Sequence, residues 1–357
     1  MESVIKKTSD IVDDLIRAIE SAEKEILLQT FYFDNDEVGK RVIHTLVKKA
    51  SHGVRVYCLF DALGSRGLSN SREEKEAVLS GIHIEYFNWL TPWSFKNKRS
   101  WFFRNHKRTL IIDNTVVHVG GWCIGKRTSD WIDANTAITN EHVVHRAVSD
   151  FKNMLHYAKR RSIRFHHEKR FSYSLDPLHT HQYAYQAPLL RARHIYYTYL
   201  KLIKSATQKL ILISPYFVPD RRLFREILQA KQRGVEVAIY IPENTDYKTV
   251  DIAGRTFFTK LLQKHINIYL YSTMLHAKLS VIDDTVFIGS LNLDNVSLRY
   301  NFENGVFVRD ESLLIQVCKD IEDLKKNSRQ VEYKEWMNRS WWDKFLEKIV
   351  SVFKGLL

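Results

Sequence analysis

His276 and Lys278 stand two residues apart, and an imperfect copy of the pattern, His106-Lys107-Arg108, lies about 170 residues earlier. Residues two apart on an extended strand share a face. Each copy therefore aims an imidazole and a cation at one point. An imidazole can attack phosphorus or carry a proton, and a cation beside it can hold a phosphate, so the chemistry in outline is phosphoryl transfer. Each copy continues with an acid and a small-residue turn: Asp113 then Gly120-Gly121 in the first, Asp283 then Gly289-Ser290-Leu291-Asn292 in the second. Two copies in one chain suggest a single shared site.

A phosphodiester is negatively charged and repels nucleophiles. Cleaving one without a metal requires a nucleophile, a proton donor for the leaving oxygen, and fixed cations or donors around the phosphoryl oxygens. The two motifs contain all three. One histidine can form a phosphohistidine while the other protonates the leaving alcohol and then deprotonates the incoming one. We assign His106 as nucleophile and His276 as general acid; the near-symmetry also permits the reverse. Lys278, with Arg108 or Lys107, would neutralise the developing charge, and Ser290 and Asn292 would donate hydrogen bonds. An imidazole works best when an acceptor fixes its second nitrogen. Asp133 lies 27 residues beyond His106 and Glu303 the same distance beyond His276, so these acids are expected to orient the histidines of their own halves. Asp113 and Asp283, seven residues beyond the histidines, are expected to brace the motif strands.

The elements that must carry these residues repeat as well. An apolar helical stripe at Val12, Leu15, Ile16 and Ile19 follows Thr8-Ser9-Asp10, which can cap it. Strand-like runs at residues 25–33, 54–60 and 81–86 alternate with helical patterns at 38–50 and 72–80. The second half repeats the order, with strands at 208–217, 234–241 and 266–271 and helices at 221–232 and 249–264. This alternation predicts an α/β fold: two similar lobes, each a mostly parallel mixed sheet flanked by helices, related by a pseudo-twofold axis. The expected division is a first lobe over 1–165, a basic linker with an edge strand near 183–189 over 166–195, a second lobe over 196–340, and an amphipathic helix over 341–357. His166, His167, His179 and His181 in the linker lack acid or cysteine partners at ligand spacing, so no metal and no cofactor is expected.

Composition sets the surroundings. No apolar run is long enough to span a bilayer, and no signal leader is evident. Cys58, Cys123 and Cys318 are odd in number and scattered, which fits a reducing compartment. A net charge of +13 gives the chain a positive field that draws anionic lipid headgroups or nucleic acid. Two segments could meet a lipid surface. One is the aromatic and cationic stretch at 89–103, which would equally suit nucleic-acid bases; the other is the terminal helix, with Trp342, Phe345 and Ile349 on one face. Each pattern is also that of a segment packed on the protein's own core.

The repeated His-x-Lys-x4-Asp with Gly-Ser-x-Asn resembles the phospholipase D superfamily, and the longer stretches resemble its bacterial cardiolipin synthases. In the second half Ser214-Pro215-Tyr216-Phe217, Leu275-His276-Ala277-Lys278 and Asn301-Phe302-Glu303 carry the likeness. In the first half Arg104-Asn105-His106, Ile111-Ile112-Asp113 and Trp131-Ile132-Asp133 do. The resemblance covers about residues 20–345. It implies two α/β lobes sharing one site, a phosphatidyl-histidine intermediate, and transfer of a phosphatidyl group to an alcohol. The implied enzyme makes cardiolipin from two phosphatidylglycerols, as a peripheral protein on the cytoplasmic face of the membrane. A phospholipid hydrolase or a nuclease of the same superfamily is the alternative, with nucleic acid the less favoured partner. The chain departs from the family at Arg108, which stands where the family has lysine, and at Cys123, which replaces asparagine.

Overall fold

The computed structural model describes residues 2–89, 103–160, 180–187 and 192–353. Two mixed sheets flanked by helices account for most of them. The first sheet contains β1 (Ile5–Lys7), β2 (Glu25–Thr30), β3 (Arg55–Asp61), β4 (His83–Phe87), β5 (Thr109–Ile112), β6 (Val116–Gly120) and β7 (Ile132–Ile138), in the order β1-β7-β6-β5-β2-β3-β4. In the second half come β8 (His181–Ala187), β9 (Ala192–Arg193), β10 (Lys209–Ile213), β11 (Phe217–Val218), β12 (Glu236–Pro242), β13 (Asn267–Tyr271), β14 (Leu279–Ile282), β15 (Thr285–Gly289), β16 (Leu293–Asp294), β17 (Glu303–Val308) and β18 (Ser328–Gln330). The second sheet runs β18-β13-β12-β10-β14-β15-β17-β8-β9, while β11 and β16 pair separately. The order β7-β6-β5-β2-β3-β4 thus recurs as β17-β15-β14-β10-β12-β13.

The separate pair β11-β16 is parallel; within the two large sheets parallel pairing is confined to β2-β3-β4 and to β10-β12-β13. These strands alternate with helices, and parallel neighbours need such crossovers. The other half of each sheet is antiparallel, because the motif strand and its successor form a tight hairpin, β5-β6 or β14-β15. The expectation of mostly parallel strands therefore holds for one side of each sheet only.

The helices are placed by local chemistry. The helices α1 (Thr8–Ser21), α2 (Glu37–Ser51) and α3 (Arg72–Leu79) cover the outer face of the first sheet. Asp36 caps α2 by accepting from the amides of Val38 and Gly39. The first helix begins at Thr8 with Lys7 at its cap position, so the proposed Thr8-Ser9-Asp10 cap lies inside the first turn instead. Next come α4 (Glu141–Arg160), α5 (His194–Ser205) and α6 (Arg221–Gln232). Gly53 and Gly234 follow α2 and α6 at φ +87° and +93°, a left-handed conformation that glycine adopts without strain. The helical pattern expected over 249–264 is broken into α7 (Lys248–Arg255) and α8 (Phe258–Gln263), followed by α9 (Asn295–Arg299), α10 (Glu311–Lys326), α11 (Tyr333–Met337) and α12 (Trp341–Phe353).

Three apolar cores result. One lies between the first sheet and α1–α3, and one between the second sheet and α5, α6 and α8. The third is central: it joins inner side chains of both sheets, such as Val117, Val119, Val286 and Val306, to α4 and α10. The unpredicted strand β1 belongs to this junction, since the amides of Val4 and Ile5 donate to Asp320 of α10 at 2.7 and 3.0 Å. The aromatic stretch at 89–103 lies outside the described residues except for Trp89 and Phe103, as do His166, His167 and His179 of the connector.

Candidate active site

His106 and His276 each sit three residues before a motif strand, in segments that pair with the opposite lobe. The amide of His106 donates to Phe302 O at 2.9 Å, and Phe302 N returns a bond to Arg104 O. The amide of His276 donates to Ile132 O at 2.6 Å, and Ile132 N donates to Met274 O at 2.9 Å. Residue 302 precedes Glu303 and residue 132 precedes Asp133. Each histidine is thus registered against the acid of the other half.

That register overturns the expected pairing. His106 Nδ1 lies 2.9 and 3.0 Å from the two carboxylate oxygens of Glu303, and His276 Nδ1 lies 2.6 Å from Asp133 Oδ2. The offset of 27 residues reflects equivalent positions in the repeat, but the pairs form across the lobes. Neither lobe contains a complete histidine and acid couple by itself.

The other ring nitrogens meet the cations. Arg108 donates to His106 Nε2 at 3.1 Å and to His106 O at 2.6 Å. Lys278 Nζ lies 2.8 Å from His276 Nε2 and 2.6 Å from His276 O. Charged arginine and lysine are donors only, so both Nε2 atoms present a lone pair and both Nδ1–H groups face a carboxylate. Arg108 takes the lysine's place with different geometry: Nε donates to Trp122 O and one terminal nitrogen approaches Cys123 Sγ at 3.8 Å.

Lys107 belongs elsewhere. Its Nζ donates to both oxygens of Asp150 on α4, at 2.5 and 2.7 Å, and Tyr183 donates to the same carboxylate. Strand alternation turns it to the opposite face from His106, which corrects its reading as a substrate-binding cation. Ser290 is also corrected: its hydroxyl donates to Glu303 Oε2 at 2.5 Å, so it holds the acid rather than a phosphoryl oxygen. The first lobe has Gly121 at this place, and a Cβ there would come within 2.4 Å of Asp133 Oδ1 and 2.8 Å of Lys278 Cδ. Asp113 and Asp283 are not in the site. Each accepts three successive backbone amides, residues 23–25 and 207–209 respectively, at the far end of its hairpin, which removes them from the catalytic set and leaves them as braces.

Burial dominates the electrostatics. It lowers the His276 pKa to about 4, aided by Lys278 and opposed by Asp133. Burial and the Arg108 charge hold His106 well below the usual imidazole value. Burial brings Lys278 down to about 7. It also pushes Glu303 well above the carboxylate range, whereas for Asp133 the adjoining His276 and Lys278 outweigh burial and keep the acid low.

Both histidines and Arg108 open on one cavity of about 380 Å³ between the lobes. Asn292 lines it, 3% exposed, with an Oδ1 that has no partner among the described residues. Sequence reasoning missed the rings beside the imidazoles: Phe31 lies 5.1 Å from His106 and Trp131 lies 4.9 Å from His276. Trp131 stands two residues before Asp133 in sequence, which was the available signal. It also missed Asn304, whose side chain bonds the Arg108 amide and Thr109 Oγ1 across the lobes. Among the described residues no group of three histidines, cysteines or acids could hold a metal ion.

A family model described as cardiolipin synthase, PLD-like domain, matches residues 15–155 and 199–325. The chain is 31% identical to cardiolipin synthase 2 of Staphylococcus epidermidis over 97% of its own length and 72% of that protein's. It is 28% identical to the major cardiolipin synthase ClsA of Bacillus subtilis over 99% and 75% of the two lengths. Among solved structures, phosphatidylserine synthase of Haemophilus influenzae superposes with a TM-score of 0.75 at 16% identity, covering 99% of this chain and 95% of the other. A polyphosphate kinase from Porphyromonas gingivalis superposes at 0.63 and 14% identity, covering 100% and 54%. These last two likenesses concern the fold alone. The chain belongs to the cardiolipin synthase family of phospholipase D-like proteins.

Proposed function

We propose that the protein is a phosphatidyltransferase that condenses two phosphatidylglycerol molecules into cardiolipin with release of glycerol. The carrying observation is the pair of inward-facing Nε2 atoms, each beside a cation, on one cavity. His106 Nε2 attacks the phosphorus of one phosphatidylglycerol, the N–P bond forms and the P–O bond to glycerol breaks as the proton that Lys278 shares with His276 Nε2 passes through the imidazole to the leaving oxygen. The headgroup hydroxyl of a second phosphatidylglycerol then loses its proton to His276, its oxygen bonds phosphorus, and the N–P bond breaks. Arg108, Lys278 and Asn292 hold the phosphoryl oxygens throughout. The assignment of roles is supported by the acids: Asp133 is kept ionised and opposes the burial that lowers His276 to about 4, whereas Glu303 is pushed toward its neutral form and leaves His106 a neutral nucleophile.

The substrates are membrane lipids, and we place the enzyme peripherally at a membrane surface on the cytoplasmic side. Trp341, Trp342, Phe345, Leu346 and Ile349 of α12 are all exposed, while Glu347 turns inward to pair with Arg339. This helix packs on α7, whose Val250 lines the catalytic cavity. The apolar face and the cavity thus share one supporting helix. Among the described residues no helix is long and apolar enough to cross a membrane. Three free cysteines fit the reducing side.

The test is incubation with phosphatidylglycerol vesicles, comparing the parent protein with His276→Ala. Cardiolipin and glycerol from the parent alone are expected, with a phosphatidyl label trapped on His106. Phosphatidic acid as the sole product would make the protein a hydrolase. Absence of lipid turnover by the parent would reject the reading and direct attention to nucleic acid.

A further inference from the structure

The cavity has a second polar end that phosphoryl chemistry does not use. Tyr216 donates its hydroxyl hydrogen to Asp246 Oδ1 at 2.6 Å. Asp246 Oδ2 is approached by Arg127 of the first lobe only at 3.5 Å. All three residues line the same cavity as His106 and His276. The Asp246 side chain is 17% exposed, so it is largely screened from water yet reachable from the cavity.

A carboxylate here repels a phosphodiester, whose charge belongs at the end held by Arg108 and Lys278. What it attracts is a hydroxyl hydrogen, because an ionised carboxylate only accepts. Burial and the Asp246 charge keep Tyr216 protonated, with its hydrogen committed to Oδ1. Its phenolic oxygen remains an acceptor beside Oδ2. Two adjacent acceptors, with the Arg127 guanidinium beside them as a donor from the first lobe, match two neighbouring hydroxyls.

We propose that Asp246, Tyr216 and Arg127 form a subsite for the vicinal hydroxyls of a polyol headgroup. This deepens the proposed function and rests on it. The subsite serves the donor lipid, whose headgroup keeps both hydroxyls free while its bond to phosphorus breaks; the acceptor spends one of its two hydroxyls on phosphorus. A headgroup lacking the two hydroxyls leaves Asp246 Oδ2 with only the long 3.5 Å contact to Arg127, and sites built to bind hydroxyls discriminate strongly against such analogues.

The experiment follows the first half-reaction in a single turnover, with enzyme in excess over vesicles of phosphatidylglycerol or of phosphatidylpropanol, and it reads release of glycerol or propanol. Phosphatidylpropanol keeps the three carbons but lacks both hydroxyls and so offers no acceptor. The parent protein is expected to favour phosphatidylglycerol by about tenfold or more. Asp246→Asn should lose most of that preference by slowing phosphatidylglycerol more than phosphatidylpropanol, and Tyr216→Phe should lose part of it. A thermal unfolding midpoint equal to the parent's reports that each variant is folded. Equal slowing on both lipids would assign Asp246 a structural role, and an unchanged preference would show that the hydroxyls bind elsewhere; either overturns the subsite while leaving cardiolipin synthesis by the parent intact. A parent protein that turns over neither lipid fails the underlying reading, and the subsite falls with it.

Discussion

Burial determines which protons the site can move. Lys278 Nζ lies 2.8 Å from His276 Nε2 and has a pKa of about 7, so the proton that His276 hands to the leaving oxygen belongs to this pair. As pH rises through about 7 that proton is lost, together with the cation that faces the phosphate. The expected kcat/KM profile falls above pH 7 and shows no inflection at the ordinary imidazole value of about 6.5. Lys278→Arg keeps its charge over this range, so its falling limb should move upward even at a lower maximal rate. A limb that stays near 7 in that variant would assign it to another group. Ser290 allows a milder test, because its hydroxyl holds Glu303, which in turn orients His106. Ser290→Ala should lower kcat about tenfold, the effect of losing one buried hydrogen bond of about 1.4 kcal/mol, with KM little changed. The catalytic residue types were legible in the sequence because chemistry restricts them: two histidines, two cations and two acids at matched spacing. Their partners were not, since Glu303 reaches His106 from 197 residues away. Lys107 was a different kind of error. Strand alternation alone separates it from His106 and keeps Arg108 on the imidazole face.

At the scale of elements, the two hairpins that carry the motifs are tied to the strand beside them. Asp283 sits at φ +51° in its turn and gathers the amides of Thr207, Gln208 and Lys209, just ahead of β10. Asp113 sits at +52° and does the same ahead of β2. The pairing β2-β5, and likewise β10-β14, is thereby fixed in register at one end while the histidine hangs at the other. Asp283→Ala should destabilise the protein by about 1 kcal/mol, read as a lower urea midpoint, because water can take over amides this near the surface. The folded fraction should retain its kcat, and a loss comparable to that of His276→Ala would return Asp283 to the catalytic set. The order of strands and helices was legible from apolar periodicity in both halves. Antiparallel pairing was not, because a run of apolar residues states that a strand is buried and leaves its direction open. The short β1 was invisible for a related reason: its three residues form a strand by docking on β7 and on Asp320.

At the scale of the whole molecule, residues of both lobes meet in one apolar core. The central core is shared: Phe87 of the first lobe meets Phe302 of the second edge to face at 5.1 Å, and α4 packs against strands of both sheets. The same contact region sets the backbone register that crosses the histidines onto the opposite acids. Assembly of the site and closure of this core are therefore one event. Heat or denaturant should unfold the chain in a single transition, with far-ultraviolet dichroism and tryptophan fluorescence coinciding and calorimetric and van't Hoff enthalpies in agreement. Phe302 is fully buried, and truncating a buried phenylalanine costs about 3–5 kcal/mol. Phe302→Ala should lower that one transition for both probes together and reduce activity through the displaced Glu303. Two separated transitions in the parent, or a shift confined to one probe in the variant, would mean that each lobe holds itself together and that the crossed pairs form only after the lobes have folded.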